Sequence, residues 1–227
     1  MTTTLQDVFG TDALGRFEET TAGVSGLPPH AYTDPRFLEL EGEKLFPENW
    51  TFVGFAHELA RPGDVVPVKV GRRPVFLMRN KEGEIKAFHN ACRHRCATLV
   101  EEKGNVGRFL KCPYHAWVYD LNGGLRTAPH FGGPDKPFPD GFDPAEHGLK
   151  EVRCHQWLDW IFVNLSDNAE PFEEYAAPLV KRLQGIDLSR MKPIATLDFG
   201  EVNCNWKFLM ENFIEPYHVQ FVHSSTT

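Results

Sequence analysis

The chain of 227 residues is 41% hydrophobic and 24% charged, a composition that supports packed cores and excludes a disordered polymer. Its 24 Lys and Arg stand against 31 Asp and Glu, a formal net charge of −7, which argues against a whole-chain electrostatic grip on nucleic acid or anionic lipid. Apolar runs are short, Trp160 to Val163 being typical, against roughly 20 residues for a membrane-spanning helix. The opening Met1-Thr2-Thr3-Thr4-Leu5-Gln6-Asp7 lacks the basic and apolar regions of a signal peptide. The expectation is a soluble, cytoplasmic protein that engages neither nucleic acid nor membrane.

Residues 1 to about 32 are polar and punctuated by Gly23, Gly26, Pro28 and Pro29, the pattern of an extended arm. At Thr33-Asp34-Pro35, Asp34 is placed to cap free helical N–H groups and Pro35 suits the first helical position. The helix is predicted to run to about Phe46, to bury Phe37, Leu38, Leu45 and Phe46, and to stop at Pro47. From Trp50 the pattern changes to short β-rich runs: Thr51–Phe55, Val65–Val70, Val75–Arg79, Ile85–His89, Phe109–Lys111, Trp117–Tyr119 and Trp160–Leu165. Turn signals such as Asn80-Lys81-Glu82-Gly83 and Asn122-Gly123-Gly124 separate many of them. Together they predict a compact antiparallel β domain. Further on, Glu173–Gln184 reads as a helix and Ile194–Val202 as a strand. Trp206–Phe213 reads as a helix that ends ahead of Pro216, because the residue before a proline avoids the α region. The fold class is α+β, divided as an arm and helix over 1–47, a β domain over 48–165 and a mixed segment over 166–227.

The five cysteines, Cys92, Cys96, Cys112, Cys154 and Cys204, are an odd set and do not read as a disulfide scaffold. Three of them crowd together with His94 and His115 in the pattern Cys92-x-His94 and Cys112-x-x-His115. Each pair falls at the end of a predicted strand, where a loop can aim two side chains at one point. A structural zinc site of the Cys2His2 kind is one reading, although zinc sites usually group their cysteines and histidines into separate pairs with wider spacers. A mixed pair on each of two loops suits a [2Fe–2S] cluster in which two cysteines hold one iron and two histidines the other. Arg93 and Arg95 flank His94 and are expected to pair with carboxylates inside the protein, or to guide an acidic electron donor. His30, His57, His89, His130, His147 and His155 match no motif and are read as structural or surface residues. Trp117 is expected to pack over the cluster and limit water.

A second group lies near the C-terminus. His218 and His223 are five residues apart, which on a regular α-helix separates them by about 140°. They converge on one ion only if the backbone between them is irregular, and Pro216 makes an interruption plausible. Spacing alone leaves them as ordinary core or surface histidines.

Cys92-Arg93-His94-Arg95 and Cys112-Pro113-Tyr114-His115-Ala116-Trp117 resemble the cluster loops of Rieske non-haem iron oxygenases, the large α subunits of ring-hydroxylating and related enzymes. Asn205-Trp206-Lys207 followed by Glu211-Asn212-Phe213-Ile214-Glu215-Pro216-Tyr217-His218 and then His223 is similar to the mononuclear-iron segment of the same family. The resemblance covers the chain from about Tyr32 to His223. It departs at Cys96 and Ala116, where the family usually has Gly. Ala116 is tolerated if its backbone needs no positive φ, and Cys96 is read as a small buried filler.

The resemblance implies an antiparallel Rieske domain over 48–165 and the start of a helix-grip catalytic domain over 166–227. It implies that Cys92, His94, Cys112 and His115 hold the [2Fe–2S] cluster, and that His218 and His223 are two ligands of an Fe(II) whose third, acidic ligand lies further downstream. Glu215 matches the catalytic acid that bridges His218 to His115 of a neighbouring subunit. Glu at this position is similar to the branch that oxidises quaternary ammonium compounds such as carnitine or choline. The implied activity is O2-dependent hydroxylation of an aromatic ring or a quaternary ammonium compound. The implied partners are an NAD(P)H-dependent reductase or ferredoxin, a small-molecule substrate, and further copies of the subunit as a homotrimer or α3β3 assembly. A Rieske electron carrier without oxygenase activity and a zinc-stabilised binding module are the rival readings.

Overall fold

A computed structural model describes residues 4–10, 26–195, 197 and 200–223. The larger compact unit is Gly42–Ile194. Its frame is a seven-stranded sheet, ordered β1-β10-β9-β4-β3-β2-β5, and a three-stranded sheet, β6-β7-β8. The strands are β1 (Thr51–Phe55), β2 (Asp64–Val70), β3 (Arg73–Arg79), β4 (Ile85–His89), β5 (Gly104–Asn105), β6 (Phe109–Lys111), β7 (Val118–Asp120), β8 (Leu125–Thr127), β9 (Glu151–Trp157) and β10 (Trp160–Asn164). The pairings are antiparallel throughout. The sequence pattern locates seven of the ten. It passes over β5 and β8, which are very short, and β9, whose Glu151-Val152-Arg153-Cys154-His155 alternates polar with apolar as a half-buried strand does.

The run Val75-Phe76-Leu77-Met78 in β3 shows how the sheet is used. Successive side chains point to opposite faces. Phe76 and Met78 join Val65, Phe88, Leu110, Trp117, Tyr119 and Leu125 in one core, between the large sheet and the small one. Val75 and Leu77 join Leu59, Val70, Ala87, Val152, Ile161 and Val163 in a second core on the other face. A strand buried on both faces reads as a continuous apolar run. Cys92 and Cys112 belong to the first of these cores.

Segment 166–194 packs with the β unit. The helix Phe172–Arg182 presents Phe172 and Ala176 to Trp50, and the indole and Phe172 ring meet edge to face at 5.4 Å. The compact unit therefore extends past both sequence-derived limits, 48 and 165, to Gly42 and Ile194.

The second unit joins the described residues up to Glu41 with those from Ala195 onward. The arm expected over residues 1 to about 32 is helical in part where it is described, at Leu5–Phe9 and at the start of His30–Thr33, and the predicted helix follows as Pro35–Leu40. Asp34 accepts the Arg36 N–H at 2.8 Å as an N-cap, with Pro35 in the first turn. The helical run continues as a π-helical turn, Glu41–Leu45, and ends with Phe46–Glu48. Leu38 and Leu45, expected in the interior, are exposed, and Glu41 is buried instead. The reason is an ion pair: Lys207 Nζ lies 2.7 and 2.9 Å from the two Glu41 carboxylate oxygens, and the Trp206 indole donates to the same carboxylate at 3.1 Å. The Lys207 ammonium also lies over the rings of Phe37, Trp206 and Tyr32. The expected strand Ile194–Val202 falls partly outside the described residues, and its described members form no strand. The helix Trp206–Ile214 forms as the pattern predicts.

Gly123 turns the β7–β8 hairpin at φ +85°, and a Cβ there would lie 2.5 Å from Phe88 Cε1 in the core. Gly123→Ala is therefore expected to lose about 3 kcal/mol, combining left-handed strain with overpacking. A lowered urea midpoint with an unchanged slope is the check.

Candidate metal centres

Two loops carry the first donor set. One follows β4 and the other joins β6 to β7. They are built alike. Cys92 N–H donates to the Ala97 carbonyl at 2.8 Å and Cys96 N–H to the Cys92 carbonyl at 2.9 Å. In the second loop Cys112 N–H donates to the Trp117 carbonyl at 2.8 Å and Ala116 N–H to the Cys112 carbonyl at 3.1 Å. The residue that reverses each chain has a left-handed backbone, Cys96 at φ 54° and Ala116 at φ 58°. These are the two positions where the resemblance calls for Gly, and left-handed backbone is the reason. The condition under which Ala116 is tolerated, a backbone without positive φ, is therefore not met. Cys96 is exposed rather than a buried filler, because a loop reversal directs its side chain outward.

The loops bring the four expected donors together. Cys92 and Cys112 are 2% and 1% exposed, and the Cys112 sulfur interacts with the Cys92 thiol and with the backbone N–H groups of Tyr114 and His115. Burial holds the Cys112 thiol above the ordinary thiol range. The His94 and His115 rings lie 4.6 Å apart, and His94 stacks on Trp117 at 5.0 Å and 5°. Burial, then the neighbouring His115 and Arg95, lower the His94 pKa and favour the neutral, ligating imidazole. His94 Nδ1 is buried without a hydrogen-bond partner, an orphan that coordination satisfies.

This donor set fits a two-iron cluster. Among the described residues, no three His, Cys, Asp or Glu side chains gather as ligands of one metal ion. The loops offer donors in pairs, two thiols and two imidazoles, as a Rieske centre requires.

Other residues of the loops depart from expectation. Arg93 and Arg95 make no ion pair among the described residues. Arg93 Nε is buried without a partner, and the Arg95 guanidinium lies over the Tyr114 ring. Sequence reasoning passed over Asn90, which is buried and anchors the first loop: its carboxamide accepts from Leu99 and Val100 N–H groups at 3.0 Å and donates to the Val100 carbonyl. It also passed over Tyr119, whose hydroxyl lies 3.3 Å from Cys92 Sγ. The signal for Tyr119 was its place two residues beyond Trp117, on one face of a strand.

The second donor set lies in the other unit. The helix Trp206–Ile214 ends before Glu215, which is extended at φ −111° and ψ 134°. A single turn, Val219–Val222, then restarts with His218 at its N-terminus and His223 at its C-terminus. This irregular backbone brings the His218 and His223 rings to 5.5 Å. The Glu215 carboxylate accepts from His218 Nδ1 and from the Tyr217 N–H at 2.6 Å. The His218 hydrogen bond is the main cause that lowers the Glu215 pKa, so the carboxylate stays ionised at neutral pH.

Comparison with known proteins agrees with this geometry. Residues 49–139 match the Rieske [2Fe-2S] domain and residues 166–227 the catalytic domain of ring-hydroxylating α subunits. The chain belongs to the Rieske oxygenase α-subunit family. It is 35% identical over 93% of its length to the glycine betaine monooxygenase oxygenase subunit of Chromohalobacter salexigens, of which it covers 46%. It is 30% identical over 91% of its length to the toluate 1,2-dioxygenase α subunit of Pseudomonas putida, of which it also covers 46%. A crystal structure of a quaternary ammonium Rieske monooxygenase with an inhibitor superposes with a TM-score of 0.76 at 28% identity, covering 89% of this chain and 56% of that one. The chain thus spans about half the length of these relatives. Among the described residues no helix is long and apolar enough to cross a membrane.

The left-handed loop positions generate a prediction. Ala116→Gly relieves a strained backbone at a compatible site and is expected to stabilise the protein by about 1 kcal/mol, read as a higher urea midpoint.

Proposed function

We propose that this chain forms the N-terminal part of a Rieske oxygenase α subunit that hydroxylates a small quaternary ammonium compound, with an aromatic substrate as the competing outcome. Cys92, Cys112, His94 and His115 hold the [2Fe–2S] cluster, and His218 and His223 hold a mononuclear Fe(II). The observation that carries this reading is the presence of two distinct donor sets, paired buried thiols and imidazoles on twin loops and a carboxylate-bound histidine beside a second histidine. The substrate class is supported by the likeness to the glycine betaine enzyme and the quaternary ammonium monooxygenase structure, and by Glu at position 215. Electrons come from an NAD(P)H-dependent reductase or ferredoxin, and the working enzyme is a homotrimer or an α3β3 assembly. The cysteines are free, in keeping with a reducing, cytoplasmic setting.

Bound at these sites, the cluster supplies single electrons and the ferrous ion supplies O2 activation. The protein supplies position. Glu215 accepts from His218 Nδ1, which fixes that imidazole's tautomer and leaves Nε2 as the metal-facing donor. With its other oxygen Glu215 takes the Tyr217 N–H and tightens the turn between the helices. By the family resemblance the same carboxylate reaches a cluster histidine of a neighbouring subunit, which gives a short polar path between the two centres. Trp117, buried against His94, keeps water from one side of the loops.

Anaerobic purification with iron and acid-labile sulfide analysis, followed by EPR of the reduced protein, tests the reading. A rhombic Rieske signal with additional ferrous iron is the expected result. The signal without the extra iron indicates a carrier, and no signal with bound zinc indicates a structural site. His94→Cys is expected to shift the cluster toward all-cysteine ligation and lower its reduction potential; an unchanged potential removes His94 from the ligand set.

Glu215 is tested in an enzyme that carries this chain together with the remainder of its catalytic domain. There Glu215→Gln is expected to keep both metal centres loaded and reduce coupled turnover by about 10–100-fold. Turnover of glycine betaine and of benzoate-type substrates by the parent enzyme separates the two substrate classes.

A further inference from the structure

The helix Trp206–Ile214 leads directly into Glu215 and His218, and a charged residue is what seats it. Among the described residues its buried member is Lys207, whereas Phe208, Leu209, Met210, Phe213 and Ile214 are each 47% exposed or more. Apolar contact is non-directional and by itself would admit several rotations of the helix about its axis. Polar contacts with an N-terminal segment remove that freedom. Lys207 Nζ lies 2.7 and 2.9 Å from the two Glu41 carboxylate oxygens, with both side chains 7% exposed. The Trp206 indole donates to the same carboxylate at 3.1 Å. One turn beyond Lys207, Glu211 accepts the Tyr32 hydroxyl at 2.6 Å, and the capping residue Asn205 donates to the Tyr32 carbonyl at 3.1 Å. Tyr32 and Glu41 thus hold the helix at its cap and along the face that Lys207 and Glu211 share.

We propose that Glu41 and Lys207 are positioning residues for the mononuclear Fe(II) site, their ion pair setting the rotation of the helix and with it the placement of Glu215 and His218. The proposal rests on the reading that His218 and His223 hold that ion. Glu41 meets the ammonium at one azimuth only. Turning the helix would leave two opposite charges buried apart, which is the costly arrangement. The ammonium also lies over the rings of Tyr32, Phe37 and Trp206, so little water reaches it as a substitute partner. A rotation set at Lys207 is carried to the end of the helix, because the backbone between is one hydrogen-bonded cylinder.

Stability alone would also account for a buried ion pair, so the test separates stability from orientation. The enzyme that carries this chain with the remainder of its catalytic domain is compared with Glu41→Gln, with Lys207→Met, and with the double variant Glu41→Leu, Lys207→Met. Cluster iron and sulfide, the urea midpoint, Fe(II) affinity and the EPR spectrum of the ferrous site with added nitric oxide are measured. Each single variant is expected to keep its cluster, lower the midpoint and bind Fe(II) about tenfold more weakly. The double variant is expected to regain the parental midpoint, since an apolar pair replaces a buried ion pair without loss. It is nevertheless expected to keep the weakened Fe(II) binding and an altered nitric oxide spectrum, because apolar contact leaves the rotation unspecified. Fe(II) affinity that rises and falls with the midpoint across the set marks the pair as structural only and overturns the proposal, as does parental affinity in the single variants. A parent enzyme that binds no Fe(II) beyond its cluster overturns the underlying functional reading instead, so the two failures are distinguishable.

Discussion

Two loops in this protein reverse direction through a residue that is not glycine yet has left-handed backbone, and the first site depends on that constraint. Cys96 and Ala116 each close a turn that begins at Cys92 or Cys112, with N–H groups bonded back to the Cys92 and Cys112 carbonyls. The strain, of order 1–2 kcal/mol for a single L residue in this region, persists because the surrounding structure over-determines the turn. Asn90 pins the return of the first loop, and the core between the two sheets receives both cysteines. With the loops so constrained, two thiols and two imidazoles meet without further rearrangement, and a buried imidazole nitrogen is left with nothing in the protein to bind.

The second donor set is made differently. It needs a helix to stop and restart within a few residues. Pro216 blocks continuation, Glu215 is extended, and the Glu215 carboxylate binds both the following backbone and His218. The helix that leads into this break is itself held at its start, where Lys207 and Trp206 converge on the buried carboxylate of Glu41. A buried ion pair contributes little net stability compared with an apolar replacement, but breaking one partner away is costly. Its effect here is to fix which face of the helix turns inward, and so to set the azimuth at which Glu215 and His218 emerge. The Tyr32–Glu211 hydrogen bond and the stacking of Tyr32 on Phe208 add to the same restraint.

Both centres thus use irregular backbone supported by regular elements. The strands and helices supply burial; the loops and breaks supply convergence. Where the chain departs from the Gly pattern of its family, the cost falls on the loop backbone rather than on the donors, which keep their identities and spacing.

The amino-acid sequence alone determined the antiparallel β character, most strand positions and the Asp34 cap, because these follow from local alternation and capping chemistry. Spacing was enough to pair Cys with His on each loop. It could not bring His218 and His223 together, since their convergence depends on a break in helix geometry that only the folded chain displays. Nor could it place Leu38 and Leu45 in solvent and Glu41 in the interior: a carboxylate is buried only when a distant cation neutralises it, and Lys207 is 166 residues away. The left-handed backbone at Cys96 and Ala116 and the approach of Tyr119 to Cys92 Sγ were likewise decided only in the folded chain, the first by hydrogen bonds that close each loop on itself and the second by packing of β7 against the first loop.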